Sequence, residues 1–137
     1  MAITHLVDTS VLARLTRPAV REAIEPRAER GELARAGISD LEVGYSARNA
    51  DEWDRIAHAL DTFELVETTA EHVHRARQVQ RLLASKHQRG RKVPDLLIAA
   101  AAEAENLTVL HYDADFDRIS AVTGQRSEWI LPAGTID

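Results

Sequence analysis

Six acidic side chains fall where a carboxylate can do more than solvate a surface: Asp8, Asp40, Glu42, Asp95, Asp113 and Asp115. Asp8, Asp113 and Asp115 follow short apolar segments with strand character. Asp40 and Glu42 open a helix after another such segment, and Asp95 opens a helix ahead of the strand at Leu107. Asp8, Glu42 and Asp95 also interrupt apolar surroundings (HLVDTSVL, DLEVGY, VPDLLIAA), which marks them as semi-buried. Carboxylates crowded together repel, and burying them is costly unless protons or cations compensate. No basic residue alternates with them in sequence. The physical remedy is a hard divalent cation, Mg²⁺ or Mn²⁺, bound through oxygen. Such a site activates water and neutralises charge on a phosphoryl group in transfer, so the chemistry expected is metal-dependent phosphodiester hydrolysis. Any single acid here is also explained as a helix cap, and Asp40 is read that way; four semi-buried acids along one edge are not.

The elements that must position these acids alternate. Ile3 to Val7 is a short strand ending on Asp8, and Val11, Leu12 and Leu15 follow at helical spacing until Pro18 closes that helix. A charged helix is expected from Ala19 to Glu32 and a weak strand from Leu33 to Ile38. Ser39-Asp40-Leu41-Glu42 has the pattern of a capping box opening a helix from about Asp40 to Arg48. A further helix spans Asp51 to Thr62, and a brief strand Phe63 to Glu67. Thr68-Thr69-Ala70-Glu71 is a second capping box, opening a long helix to about Lys86. Pro94 suits the first turn of a helix that Asp95 to Glu105 continues. Leu107 to Leu110 is a strand, Asp113 to Val122 a helix, and Trp129 to Leu131 a last edge strand. Strands alternating with helices imply a parallel sheet covered on both faces, with ligands at the carboxyl ends of its strands. The acids sit at such ends.

Composition agrees with one globular domain, residues 1–137. Of these residues 45% are hydrophobic and 28% charged, with 6 Gly and 4 Pro, which excludes disordered and collagen-like chains. No apolar run approaches the ~20 residues that span a bilayer, and the start MAITHLVD lacks the basic opening of a secretory signal, so a cytoplasmic protein without membrane attachment is expected. The absence of cysteine excludes disulfides, a thiolate nucleophile and a cysteine zinc site. A net charge of −5 excludes nucleic-acid binding by bulk charge alone.

Four segments resemble, in order and spacing, the motifs of PIN-domain ribonucleases: V-D-T-S at Val7 to Ser10, S-D-L-E at Ser39 to Glu42, P-D-L-L-I-A-A-A-A at Pro94 to Ala102, and H-Y-D-A-D-F at His111 to Phe116. Within that family the pattern is most similar to the VapC-type toxins of bacterial toxin–antitoxin pairs, from Ile3 to about Leu131. The resemblance implies an α/β/α sandwich on a central parallel sheet and an endoribonuclease dependent on Mg²⁺ or Mn²⁺. It also implies a cognate VapB-type antitoxin, an RNA substrate and a homodimer. The acidic quartet carries over to Asp8, Glu42, Asp95 and Asp113, with Asp115 as an accessory acid and Thr9 and Ser10 supplying hydroxyls after the first acid. Asp8 and Asp95, in the most apolar surroundings, are the expected direct metal ligands; Asp113 would act through a metal-bound water or hold a second ion, and Asp115 is the accessory metal-binding acid. Glu42 would bind metal or orient the attacking water. One departure stands out: many relatives carry Thr two residues before the fourth acid, where this chain has His111.

Lys86, Arg89, Arg91 and Lys92 place four bases within seven residues just before Asp95, which suits either a phosphate clamp for RNA or a solvated helix end. His72 and His74 lack metal-binding spacing, and Trp53 and Trp129 are expected to pack. Two rival functions remain. A phosphatase or phosphoacceptor using Asp8 as nucleophile needs a lysine near the site, and only Lys86 and Lys92 exist. A catalytically inert PIN-like domain that merely binds RNA or a partner would have no need of all four acids.

Overall fold

The computed structural model describes residues 2–88 and 92–137, so Arg89 and Arg91 of the expected phosphate clamp lie outside the described residues. Strand β1 (His5–Val7) pairs in parallel with β2 (Leu33–Ala36) on one side and β4 (Thr108–His111) on the other. Strand β3 (Glu64–Val66) extends the sheet beyond β2, and β5 (Ser127–Trp129) beyond β4, both in parallel. The order is therefore β3-β2-β1-β4-β5. Because β1 neighbours β2 and β4, the chain leaves β1 toward one edge and later returns to the other. The crevice between the carboxyl ends of β1 and β4 is the switch point where such sheets bind ligands.

Side-chain alternation divides the core into two layers. Leu6, Ala34, Ala36 and Val109 face one cluster with α5 (Ala70–Ser85), α6 (Val93–Ala104) and α7 (Asp115–Thr123). Val7, Leu33 and Leu110 face the other, with α1 (Thr9–Leu12), α2 (Pro18–Glu29) and Leu60 of α4 (Ala50–Leu60). The fold is the expected α/β/α sandwich. Helix α6 is the most enclosed helix: Leu96, Ile98 and Ala99 to Ala102 are all buried, and it touches β1, β4, α5, α7 and α3 (Gly37–Gly44). Methyl side chains all round let neighbours approach closely from every direction, and this draws the first turn, with Asp95, into the interior. Among the described residues no helix is long and apolar enough to cross a membrane.

Several boundaries differ from the sequence expectation. Pro18 opens α2 rather than closing the first helix, since its missing N–H is no loss in a first turn. The charged helix stops at Glu29, before Gly31 in the left-handed region at φ +69°. Strand β2 ends at Ala36 and α3 begins at once at Gly37, ahead of the expected capping box; neither Ser39 nor Asp40 caps it. The second box is displaced by one residue: Thr69 caps α5, with the buried His72 reciprocating through Nδ1. Asn49 caps α4, α7 starts at Asp115 rather than Asp113, and the edge strand is Ser127–Trp129 rather than Trp129 to Leu131.

Asp40 belongs instead to a tertiary ion pair. Arg35, only 7% exposed in β2, forks onto Asp40 with Nε–Oδ1 at 2.7 Å and Nη2–Oδ2 at 3.1 Å. Its Nη1 donates to the Phe63 carbonyl, and Asp61 stands 3.6 Å from Nη2. Arg35 thereby ties β2, α3 and the α4–β3 turn together. Removing the buried partner of several charged hydrogen bonds costs more than neutralising the half-buried Asp40. Arg35→Ala should lower unfolding stability by about 2–3 kcal/mol and Asp40→Asn by less than about 1 kcal/mol, measured by urea titration. Equal small losses would show that Arg35 does not anchor this corner.

Candidate active site

Asp8 leaves β1 at the switch point and caps α1. Its Oδ2 accepts from the Ser10 amide at 2.9 Å and the Ser10 hydroxyl at 2.6 Å, while that hydroxyl accepts from the Tyr112 amide at 2.8 Å. Ser10 thus joins the end of β1 to the end of β4. Asp8 is 2% exposed, and its Oδ1 is buried with no hydrogen-bond partner among the described residues. Burial is the main force pushing its carboxyl up to about 6; the Ser10 bonds oppose it and the Asp113 charge adds to it.

Asp95 enters from the first turn of α6, behind Pro94, and is 5% exposed. Its Oδ2 is likewise buried without a partner. Burial first, then repulsion from Asp8 and Asp113, raise its carboxyl to about 8 against the opposing pull of Lys92. Asp113 follows β4. Its Oδ1 accepts the Asp115 amide at 2.9 Å, and Lys92 Nζ stands 3.4 Å from its Oδ2. Asp115 opens α7, with Arg118 Nη1 3.4 Å from its Oδ1. Asp95, Asp113 and Asp115 each bring one oxygen within 4.8 Å of the others, and Asp8 lies near enough to repel two of them.

Glu42 reaches this edge from the last turn of α3. The Thr9 hydroxyl lies 2.6 Å from Glu42 Oε1 and 2.8 Å from the buried Ser39 Oγ. A carboxylate only accepts, so the single Thr9 proton serves Glu42. Thr9 and Ser10 therefore bridge different acids: Ser10 holds Asp8, and Thr9 holds Glu42. Ser39 escapes a sequence reading because its S-x-x-E spacing imitates a cap, while its actual partner is 30 residues away.

His111 is fully buried, its ring 5.0 Å from both Phe116 and Trp129. Its Nδ1 accepts the Asp113 amide at 3.2 Å, which leaves the ring neutral with its proton on Nε2. Burial holds its pKa below the ordinary imidazole value. Such a ring cannot meet a substrate. Lys86 is exposed at the end of α5. Lys92 is the lysine the phosphoacceptor reading requires, but it pairs with Asp113 rather than with Asp8.

The donor set suits a hard divalent cation: the clustered groups are carboxylates, and two of their oxygens are buried with no hydrogen-bond partner among the described residues. A family model of the PIN domain matches residues 5–122. The chain is 65% identical to Ribonuclease VapC51 of Mycobacterium tuberculosis (strain ATCC 25618 / H37Rv), over 100% of both chains. It is 44% identical to Ribonuclease VapC21 of the same species, over 98% of this chain and 99% of that one. Among solved structures, VapBC2 from Rickettsia felis bound to a DNA fragment matches with a TM-score of 0.77 at 19% identity, over 94% of this chain and 98% of that one. DNA-bound VapBC from Salmonella typhimurium gives 0.75 at 18% identity, over 94% and 99%. These two likenesses are of fold. The chain belongs to the PIN domain family.

A carboxyl whose folded pKa is raised above the ordinary value of 3.8 binds more protons folded than unfolded, so its contribution falls as pH rises. With Asp8 near 6 and Asp95 near 8, the metal-free protein should gain stability from pH 8.5 down to about pH 5. In EDTA, thermal melting should rise by at least about 4 °C over that interval, the equivalent of about 1 kcal/mol at this chain length. Asp95→Asn should melt at or above wild type in EDTA at pH 8.5 and show a smaller pH dependence. Melting well below wild type would instead make Asp95 a structural helix cap.

Proposed function

We propose that this protein is a ribonuclease toxin of a type II toxin–antitoxin pair, an endoribonuclease dependent on Mg²⁺ or Mn²⁺. The observation that carries the metal requirement is the pair of buried, unpartnered oxygens, Asp8 Oδ1 and Asp95 Oδ2, in one carboxylate cluster. The ribonuclease assignment is supported by 65% and 44% identity, over nearly the full length, to proteins named Ribonuclease VapC, and the toxin assignment by the likeness of fold to VapBC complexes. Asp8, Asp95, Asp113 and Asp115 would hold the cation. When bound, it supplies charge neutralisation and Lewis acidity toward a phosphodiester.

The chain's own residues do the rest. Ser10 fixes one oxygen of Asp8, leaving the other directed to the shared site. Glu42, oriented by Thr9, is the carboxylate that receives the proton of the attacking water. Lys92, with Nζ 3.4 Å from Asp113, is a cation at the cluster that a phosphate can recruit. In-line attack by water on the backbone phosphodiester leaves a 5′-phosphate and a 3′-hydroxyl. A VapB-type antitoxin is the cognate partner, and assembly with it and with a second copy of the chain would cover the exposed Leu41, Tyr45 and Trp53.

Purified protein incubated with total RNA should cleave with Mn²⁺ or Mg²⁺ and not in EDTA, and end mapping should find 5′-phosphates. Glu42→Gln should lower kcat by about 10²-fold or more while leaving KM within a few-fold, as expected of a general base. Full cleavage in EDTA with 2′,3′-cyclic ends would contradict the metal mechanism.

A further inference from the structure

His111 ends β4 two residues before Asp113, and the site described above gives it no chemical step. Its geometry gives it another role. Three polar groups around the cluster are tied by side-chain bonds to the amide two residues on: Asp8 to Ser10, Asp113 to Asp115, and His111 to Asp113. The last two form a relay. The imidazole holds the amide of Asp113, and the carboxylate of Asp113 holds the amide of Asp115. The first member of that relay is immobile, because the His111 ring is fully buried between Phe116 and Trp129. The Trp129 indole N–H is in turn held by Asp117, 3.3 Å from both carboxylate oxygens.

We propose that His111 is a positioning residue: by accepting the Asp113 amide at Nδ1, it sets the turn that delivers the Asp113 and Asp115 carboxylates to the cluster. Its bearing on metal binding rests on the metal-dependent reading above; its bearing on the turn does not. Outer partners of ligating groups typically change metal affinity about 10–100-fold when removed.

Two variants separate positioning from packing. His111→Phe keeps a buried ring against Phe116 and Trp129 but removes the acceptor. His111→Asn gives up ring packing but carries an acceptor, Oδ1, at about the place of Nδ1. Three quantities are measured for each: Mn²⁺ affinity by calorimetry, thermal melting, and hydrogen exchange of the Asp113 amide in the metal-free protein. The Phe variant should exchange Asp113 at least about tenfold faster and bind Mn²⁺ about tenfold more weakly. The Asn variant should melt below the Phe variant, yet keep Asp113 protected and bind Mn²⁺ within about threefold of wild type.

A ring that only packs would give the opposite order, with affinity following melting temperature. That order, or unchanged Asp113 exchange in the Phe variant, overturns the proposal. If His111→Phe does not fold, His111→Gln, whose acceptor sits at the Nε2 position, replaces it with the same expectation. If wild type binds no Mn²⁺, the metal reading fails, and Asp113 exchange in the metal-free variants alone decides the role of His111.

Discussion

Two buried carboxylate oxygens with no hydrogen-bond partner among the described residues, Asp8 Oδ1 and Asp95 Oδ2, are the constraint around which the rest of this structure is arranged. Water would satisfy them at the surface; inside, each either takes a proton or waits for a cation. The fold accepts that cost because the same features that bury the acids build the core. Asp95 lies at the head of the helix whose alanines fill the space between sheet and neighbouring helices. Asp8 ends a strand whose Leu6 and Val7 feed both core layers. Neither acid can be moved to solvent without pulling its element out of place. In both, burial raises the carboxyl more than repulsion does. The packing of the sandwich, more than the crowding of acids, creates the demand for a counterion.

Around that unsatisfied centre most polar groups of the site are held by short bonds, although the buried His111 Nε2 has no hydrogen-bond partner among the described residues. Ser10 fixes Asp8, Thr9 fixes Glu42, Asp113 accepts the Asp115 amide, and His111 accepts that of Asp113. These bonds span few residues or cross between strands at the switch point, so the site is built before any ligand arrives. Lys92, with most of its side chain in solvent, is loosely held, as is Arg118 beside Asp115. Rigid carboxylates beside a displaceable ammonium suit a polyanionic substrate, whose phosphates can take over the lysine.

Much of this was legible in the sequence, for a physical reason: strands that alternate sides and acids that follow them are local patterns. Val7-Asp8 and the apolar run after Asp95 announce both a buried element and a carboxylate at its end. What escaped a local reading was long-range pairing. Ser39 and Glu42 have the spacing of a helix cap, but Thr9, 30 and 33 residues away, takes both. Asp40 has the position of a cap, but Arg35 reaches it from a strand that its own charge made look weak. His111 was conspicuous only by standing in place of a hydroxyl; its burial and its bond to Asp113 are products of tertiary packing. The displaced cap at Thr69 is the milder case, where two adjacent threonines offer the same chemistry and the partner, His72, decides between them.

The central claim is that the metal-free cluster holds a proton that the cation must displace. Calorimetric titration with Mg²⁺ in buffers of different ionisation enthalpy measures that proton directly. With Asp95 near 8 and Asp8 near 6, binding at pH 7 should release about one proton per ion, falling toward zero by about pH 9 and nearly absent in Asp95→Asn. Tight Mg²⁺ binding at pH 7 with no proton released would mean that the buried carboxylates are already ionised without a cation, and would contradict the account.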